Sequence, residues 1–145
     1  MEPAYIVTLE AEPSQSDVHT VVTGLMAYNE AHVGNLGHQP LLFLLRAADH
    51  AIVGGLLGEI YWGWLHIEIL WIVEDLRRQG HGKTLLAAAE QEAIRRGCHH
   101  AYLDTLSFQA PSFYEKHGYT LFGELQDMPI GHKRYFLQKA LQSLC

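Results

Sequence analysis

Three apolar runs follow one another closely in the middle of the chain, at residues 40–46, 52–61 and 64–73. The polar breaks between them are too short for a helix, so antiparallel hairpins are the natural connections. Residues 82–96 are rich in Ala, Leu, Glu and Gln and predict a long helix, after which residues 101–106 return to a strand pattern. A helix between two strands of one sheet implies a parallel crossover. The chain is therefore expected to fold as an α+β domain around a mixed, mostly antiparallel sheet.

The flanking segments extend this sheet to six or seven strands, with helices on both faces. Residues 4–9 alternate loosely and predict a first strand, and residues 119–124 and 133–137 predict the closing strands. Pro111 suits the first turn of a short helix that ends at Gly118. The third apolar run has apolar residues on both faces, which predicts a central strand covered on both sides. Strict alternation puts on one of its faces Trp64, His66, Glu68, Leu70 and Ile72.

An amphipathic helix is expected between the first strand and the first apolar run. Oxygens of Ser14, Ser16 and Asp17 can cap its start, and Gly34 and Gly37 end it. Apolar residues recur in it at three- and four-residue spacing, and this stripe predicts core packing. The stripe consists of Val18, Val21, Val22, Leu25 and Met26. On the long helix, the predicted buried side consists of Leu85, Leu86, Ala89 and Ala93.

Composition limits the class of protein. The chain has 145 residues, 48 % of them hydrophobic and 18 % charged, without a linker-like segment, so one domain over residues 1–145 is expected. The N-terminus has no basic segment before an apolar run, and no stretch of about 18 apolar residues occurs, so neither secretion nor a membrane span is expected. Cys98 and Cys145 have no metal or redox spacing, which favours reduced thiols in the cytoplasm. The net charge of −6 argues against nucleic acid and fits a cationic partner.

The ten histidines raise the question of a metal site. No His-Glu-x-x-His or paired Cys-x-x-Cys pattern occurs. The scattered histidines include His19, His32, His38, His50 and His132. The nearest approach to a cluster is Cys98 followed by His99 and His100. These patterns predict no metal cofactor.

The most informative segment is RRQGHGKT at residues 77–84, between the third apolar run and the long helix. Gly80 and Gly82 allow a tight turn and a close approach of the backbone to a ligand. The first amides of the helix point outward unpaired, with the positive end of the helix dipole behind them, so the segment predicts an anion site. A nucleotide P-loop requires glycine where this chain has Arg77, and the dinucleotide pattern fails at Leu85. ATP and NAD are therefore disfavoured.

What is left, Arg-x-x-Gly-x-Gly at the start of a helix after a central strand, resembles the acyl-CoA pyrophosphate motif of the GNAT N-acetyltransferase superfamily. The sequence APSFYEKHGY at residues 110–119 resembles the second signature of that superfamily, at the expected distance downstream. The likeness covers roughly residues 64–122, and the other elements follow the family order. Three features depart from the common pattern. His81 replaces a frequent aliphatic residue, Ser107 replaces an Asn that often contacts pantetheine, and a proline just after the strand is absent.

The resemblance implies acetyl-CoA as co-substrate and no metal. Amides of residues 78–83 would hold the pyrophosphate, and the backbone of residues 71–73 would pair with the pantetheine arm like an added strand. The implied cofactor-binding residues are Trp71, Ile72, Val73, Arg77, Arg78, Gln79, Gly80, His81, Gly82, Lys83, Thr84 and Ser107.

Two side chains are the main candidates for catalysis, and a third is an alternative base. Tyr114 occupies the family position whose hydroxyl protonates the leaving CoA thiolate; alternatively, it is only a core aromatic residue. Glu68 lies on the central strand among apolar neighbours, where an ionised carboxylate is costly without a partner. It is expected either to act as general base, directly or through a water, or to pair with an arginine or with His66. His66 is a second candidate for the base.

These features together predict an N-acetyltransferase that acetylates a primary amine by direct attack on acetyl-CoA. The acidic balance and the aromatic residues near Glu59 favour a small cationic amine as substrate. Those residues are Tyr61, Trp62 and Trp64. A protein lysine or N-terminus is the alternative acceptor, and a non-catalytic acyl-CoA-binding regulatory domain is the alternative function. A homodimer is a family-based expectation.

Overall fold

A computed structural model describes residues 4–35 and 37–141 of the chain. The chain divides into two compact units, residues 1–35 and 36–145. The thiol expected at Cys145 lies outside the described residues, and a single domain over the whole chain stays a prediction. Among the described helices, none is long and apolar enough to cross a bilayer.

The first unit contains one described helix, α1, at Gln15–Val33. It begins as predicted, because the Ser14 hydroxyl oxygen accepts the Asp17 N–H at 3.0 Å. One other expectation is wrong, because residues 4–9 form no strand. The packing of the apolar stripe of α1 in a core stays a prediction. The described part of this unit has no other helix or strand, so nothing in it pairs with residues 4–9 or covers the stripe.

The second unit is built on a six-stranded sheet in the order β1-β2-β3-β4-β6-β5. The strands are β1 (Gln39–Arg46), β2 (Ile52–Tyr61), β3 (Trp64–Ile72), β4 (His100–Leu106), β5 (Thr120–Gln126) and β6 (Lys133–Ala140). The helices are α2 (His81–Arg95) and α3 (Pro111–Lys116). Among these pairs of strands, β3 and β4 are parallel and the others are antiparallel. The predicted α+β class, mixed sheet and parallel crossover through α2 are confirmed.

The core of this unit lies between the sheet and α2. The helix packs across β1, β2 and β3 and buries its predicted side, Leu85, Leu86, Ala89 and Ala93. The largest fully buried side chains come from four neighbouring strands and are Leu56, Leu65, Leu103 and Leu137. The short helix α3 adds Tyr114 to the same cluster. The centre of the sheet is therefore a rigid support for the segments that follow β3 and β4.

A bulge interrupts β3 at Glu68. Ile67 lies opposite Gly58 of β2, but Ile69 lies opposite Leu57, so Glu68 is an extra residue without a partner in β2.

This bulge overturns the strict alternation predicted for the strand. Leu65 and Ile67 face the core before it, whereas Leu70 and Ile72 pack on the core after it. On the other side, Trp71 is 47 % exposed. The second half of β3 is therefore covered on one side only. The prediction that the whole strand is covered on both sides is wrong for this half.

Strands β3 and β4 pair along only part of their length. The parallel ladder joins residues 64–67 of β3 to residues 100–103 of β4. Beyond it, residues 68–72 have no partner in β4, while residues 104–106 continue to pair with β6. The two strands therefore separate at the bulge, and a gap opens at their C-terminal ends.

Candidate active site

A cavity of about 1020 Å³ lies where β3 and β4 separate. Its walls come from β3, the loop before α2, the start of α2, the end of β4 and α3. The lining residues are Glu68, Ile69, Leu70, Trp71, Ile72, Arg77, Arg78, Gly80, Gly82, Lys83, Asp104, Thr105, Phe108, Gln109, Ala110, Ser112, Phe113, Tyr114, Lys116 and His117. Both sequence motifs, Glu68 and Tyr114 thus meet at one cavity, whereas His66, the other candidate for the base, does not line it.

The start of α2 presents free backbone amides to this cavity. Gly80 is the N-cap, with a left-handed φ of 88°, and Arg78 also has a positive φ of 64°. The first helical bond runs from the Thr84 N–H to the Gly80 carbonyl at 3.1 Å. Within residues 4–35 and 37–141, no backbone acceptor takes the N–H groups of residues 78–83. The arrangement suits an anion, because the unpaired amides and the helix dipole both favour negative charge.

Three basic residues predicted to bind the cofactor, Arg77, Arg78 and Lys83, line the cavity. The Nε of Arg77 donates to the Ile72 carbonyl at 2.9 Å and so ties the loop to the end of β3. Lys116 of α3 lines the cavity as well, although the second motif gave no signal for a cofactor contact there. Both motifs therefore contribute basic residues to the lining of the cavity.

The backbone of β3 offers less to a ligand than residues 71–73 suggest. The Val73 N–H donates to the Val53 carbonyl at 2.9 Å, and the Val73 carbonyl accepts the Leu76 N–H at 3.0 Å. Residues two apart in an antiparallel ladder direct their backbone groups to the same side, so the backbone N–H and C=O of Trp71, like the N–H of Val73, point toward β2. Of the three predicted residues, Ile72 is the one whose backbone faces the gap.

Five predicted cofactor residues do not line the cavity: Val73, Gln79, His81, Thr84 and Ser107. The Gln79 side chain donates to the Asp75 carbonyl, and the Thr84 hydroxyl donates to the Gly80 carbonyl, both at 3.0 Å. The Ser107 Oγ accepts the Lys133 N–H at 3.0 Å. These bonds hold the loops around the cavity in place.

Tyr114 of α3 is a buried residue, 8 % exposed, whose ring meets Phe113 and Tyr119 nearly edge-on. Burial raises the pKa of Tyr114 to about 12. Among the described residues, the Tyr114 hydroxyl has no hydrogen-bond partner. Every fully buried side-chain oxygen in that part of the chain has a partner, so this hydroxyl is not fully buried and opens into the cavity that Tyr114 lines. Tyr114 is thus a core aromatic residue that presents a protonated hydroxyl at the cavity wall.

Glu68 is exposed, in contrast to the buried position predicted for it. The bulge and the departure of β4 both remove neighbours from its side chain. Within the described residues no arginine pairs with it, so the structural alternative of an arginine partner finds no support there. Its carboxylate lies instead beside Glu59 and His66, and the three polar groups are all within 4.8 Å of one another.

Glu59 was not predicted as a site residue, although a signal for its position exists. Trp62 and Gly63 have φ values of 50° and 81°, as a two-residue type I′ hairpin turn requires. Such a turn fixes the register of β2 and β3 and sets Glu59 opposite His66. The Trp-Gly pair between two apolar runs therefore suffices to bring the two side chains together.

The end of β4 supplies further polar residues that were not predicted. The Asp104 carboxylate lines the cavity and accepts the Nε–H of Arg134 at 2.9 Å. Gln109 closes the strand end by accepting the Leu106 N–H at 2.8 Å. Phe108 meets His132 edge-on at 5.0 Å, which brings the loop between β5 and β6 next to the cavity.

The chain is similar in sequence to known acetyltransferases. The sequence model of the Acetyltransferase (GNAT) family matches residues 8–119. The chain belongs to this family. GNAT proteins use acetyl-CoA, and the free amides at the start of α2 suit the pyrophosphate of that donor.

Relatives agree with the GNAT assignment. Acetyltransferase Atu2258 of Agrobacterium fabrum is 39 % identical over 115 residues, which cover 79 % of this chain and 84 % of that protein. Blasticidin-S acetyltransferase of Streptomyces morookaense is 40 % identical over 91 residues, covering 62 % of this chain and 67 % of that protein. The crystal structure of an acetyltransferase from Bacillus cereus matches with a TM-score of 0.85 and 31 % identity, over 92 % and 98 % of the two chains. The chain is therefore an acyltransferase enzyme of the GNAT fold.

Proposed function

We propose that this GNAT protein transfers an acetyl group from acetyl-CoA to the primary amine of a small cationic molecule. One observation carries the proposal: a single cavity joins the free amides at the start of α2, the Tyr114 hydroxyl and the Glu68 carboxylate. The amides suit a pyrophosphate. The carboxylate suits removal of a proton from the amine, and the hydroxyl suits protonation of the departing thiolate.

The reaction proceeds by direct attack. Glu68 accepts a proton from the bound ammonium group, directly or through a water, and the freed nitrogen lone pair attacks the thioester carbonyl. As the tetrahedral intermediate collapses, the C–S bond breaks and Tyr114 donates its proton to the departing thiolate. The nitrogen loses its second proton as the amide forms, and this proton restores the Tyr114 hydroxyl through water. The products are the N-acetylated amine and CoA, with no acyl group on the protein at any stage.

The cationic acceptor is supported by charge. Glu59 and Glu68 have no Lys or Arg partner in the described part of the chain, and the nitrogen partners of Glu59 are His38 and His66. Two carboxylates therefore lie close together beside the part of the cavity that Glu68 lines. The Tyr102 ring stacks on His66, the cross-strand partner of Glu59. Trp64 packs against the same Tyr102 ring, and the Tyr61 hydroxyl is hydrogen-bonded to that of Tyr102, so an aromatic group adjoins these carboxylates, and aromatic faces attract cations. The relative from Streptomyces morookaense is named for blasticidin S, which makes that compound a sensible first acceptor to test.

The experiment is a panel of acceptors with acetyl-CoA as donor, with products identified by mass spectrometry. The panel contains blasticidin S, aliphatic diamines, a neutral amine, a lysine peptide and a peptide with a free N-terminus. We expect turnover with a small cationic amine. Turnover with peptides alone would replace this proposal by a protein acetyltransferase, and acetyl-CoA binding without transfer to any acceptor would favour a non-catalytic acyl-CoA-binding domain.

A further inference from the structure

The face of the sheet away from the core carries a cluster that the acetyl transfer does not fully use. Glu59 of β2 and His66 and Glu68 of β3 place a carboxylate oxygen, an imidazole nitrogen and a second carboxylate oxygen within 4.8 Å of one another. We propose that these three side chains form a binding site for a divalent transition-metal ion of the Zn²⁺ type.

The sheet itself brings the three ligands together. Glu59 and His66 are direct cross-strand partners, so their side chains leave the sheet side by side on one face. The bulge leaves Glu68 unpaired, and its side chain reaches the same pair. Two adjacent strands with a fixed hairpin register are a more rigid support for a metal than a loop would be.

The spacing suits a shared metal better than a hydrogen bond. The His66 Nδ1 lies 3.4 Å from the Glu59 Oε1, which is long for a hydrogen bond. Two ligands of a tetrahedral Zn²⁺ ion, each bonded at about 2.0–2.2 Å, stand roughly 3.3–3.6 Å apart. The exposed Glu68 side chain has room to close the remaining distance.

Neighbouring groups hold two of the ligands in position. The His66 ring is stacked on the Tyr102 ring, with centroids 4.3 Å apart and planes at 3°, and the Tyr102 hydroxyl is hydrogen-bonded to that of Tyr61. The His38 Nε2 lies 3.0 Å from the Glu59 Oε2, the oxygen that does not face His66. Supporting contacts of this kind orient ligands and raise metal affinity.

Charge and ligand type favour a transition metal. In the described ranges neither Glu59 nor Glu68 pairs with Lys or Arg, and the nitrogen partners of Glu59 are His38 and His66, so the two carboxylates lie within 4.8 Å of each other with no Lys or Arg to offset their charge. A dication relieves this repulsion. Ca²⁺ and Mg²⁺ prefer oxygen ligands alone, whereas an imidazole with two carboxylates suits Zn²⁺ and its neighbours in the first transition row.

The site overlaps the acceptor end of the cavity through Glu68. A metal bound there takes the carboxylate that the proposed reaction needs for the amine proton. Zn²⁺ is therefore expected to inhibit acetyl transfer in competition with the amine and not with acetyl-CoA. Binding of the metal does not depend on the proposed function, because the three ligands are present whether or not an amine is acetylated.

The test is calorimetric titration of the metal-free protein with Zn²⁺, with Co²⁺ absorption spectra as a report on ligand geometry. We expect one ion per chain and visible Co²⁺ bands. H66Q and E59Q should each lower Zn²⁺ affinity by more than about tenfold, since each removes a ligand. The matched control is H100Q, which removes an exposed imidazole that stacks on Trp64 of the same sheet region but lies outside the cluster.

The Zn²⁺ affinities of the wild-type protein and the variants decide whether the metal site exists. The site is supported if H100Q keeps its Zn²⁺ affinity while H66Q and E59Q both lose theirs. Thermal melts must show that all three variants are folded. If H66Q fails to fold, E59Q alone decides. No Zn²⁺ binding by the wild-type protein, equal binding by E59Q, or an equal loss in H100Q overturns the proposal. Acceptor turnover without Zn²⁺ binding would leave the acetyltransferase proposal intact and remove only the metal site.

Discussion

A Cβ atom added to Gly82 would lie 3.2 Å from two ring carbons of Phe113, on the wall of the candidate cavity. That distance is tighter than ordinary van der Waals contact, so Phe113 has to shift slightly to admit a side chain. Gly82 therefore has two reasons to be glycine. It keeps the start of α2 open to a phosphate, and it leaves room for the ring of α3.

The variant Gly82→Val is expected to lower acetyl-CoA affinity by at least about tenfold, because its methyl groups occupy the approach to the free amides. Calorimetric titration with acetyl-CoA measures this loss, and thermal melts report the strain against Phe113.

The double variant Gly82→Val/Phe113→Leu separates the two effects. Leucine relieves the contact inside the protein but leaves the valine at the amides, so the melting temperature should recover while affinity stays low. Recovery of affinity together with the melting temperature would show that Gly82 serves packing alone.

The parts of the fold that could be predicted depend on local periodicity and turn chemistry. The buried side of α2 follows from a 3.6-residue repeat, and the Ser14 cap follows from its hydroxyl. The bulge at Glu68 could not be predicted in this way. Both sides of β3 are apolar in sequence, so one extra residue leaves no break in the pattern, although it reverses which side chains meet the core.

The element that covers α1 could not be predicted from the sequence either. The stripe of α1 is amphipathic in sequence, but a sequence pattern does not specify what covers it, and its own unit contains no covering element among the described residues.

In the candidate site, the free amides at the start of α2 could be predicted, because the glycines and the helix start are adjacent in the chain. The pair of Asp104 and Arg134 could not, since it depends on the long-range pairing of β4 with β6.

The second prediction concerns Glu68→Gln, which keeps the size of the side chain and removes its ability to accept a proton as a carboxylate. If Glu68 is the general base, turnover with the best acceptor should fall on the order of 10²-fold while acetyl-CoA affinity is preserved. Steady-state kinetics with a calorimetric titration of acetyl-CoA measure both quantities.

The matched control is Glu115→Gln, an exposed carboxylate of α3 that does not line the cavity. Its turnover should equal that of the wild-type protein. Normal turnover and an unchanged pH–rate profile in Glu68→Gln would exclude the general-base role and leave Glu68 as a contact of the sheet surface.

The third prediction is a loss of stability at alkaline pH. Burial raises the pKa of Tyr114 from 10.0 to about 12 in the folded protein, so the unfolded chain ionises first. The stabilisation is fully present below pH ~10 and is lost as pH rises toward the folded pKa. At pH ~11 the loss due to this residue is about 1.4 kcal/mol.

Denaturant unfolding at several pH values between neutrality and about 11 measures this effect. The variant Tyr114→Phe should lose less free energy of unfolding over the alkaline range than the wild-type protein. Part of the alkaline loss should persist in the variant, because burial and the nearby Glu90 carboxylate also raise the pKa of Tyr119. Identical slopes for wild type and variant would contradict the raised pKa of Tyr114.

The fourth prediction tests whether the Tyr114 hydroxyl donates its proton to the departing thiolate. The hydroxyl opens into the cavity without a partner in the described residues, and burial raises the pKa of Tyr114 to about 12, so the hydroxyl is protonated near neutral pH. Tyr114→Phe keeps the ring that packs against Phe113 and Tyr119 and deletes only the donor. A donor that acts in the transition state predicts that kcat and kcat/KM fall together by roughly 10–10⁴-fold, with little change in acetyl-CoA binding.

Tyr119→Phe is the matched control for that variant, because it deletes the hydroxyl of a second buried tyrosine that does not line the cavity. The Tyr119 hydroxyl donates to Glu90 at 2.9 Å, so its loss should lower the free energy of unfolding by about 1 kcal/mol and leave kcat unchanged. Tyr114→Phe should show the reverse pattern, a lower kcat with a nearly unchanged melting temperature near neutral pH, since its hydroxyl has no bond to lose. Full activity in Tyr114→Phe would limit Tyr114 to the core, and the proton for the thiolate would then have to come from solvent.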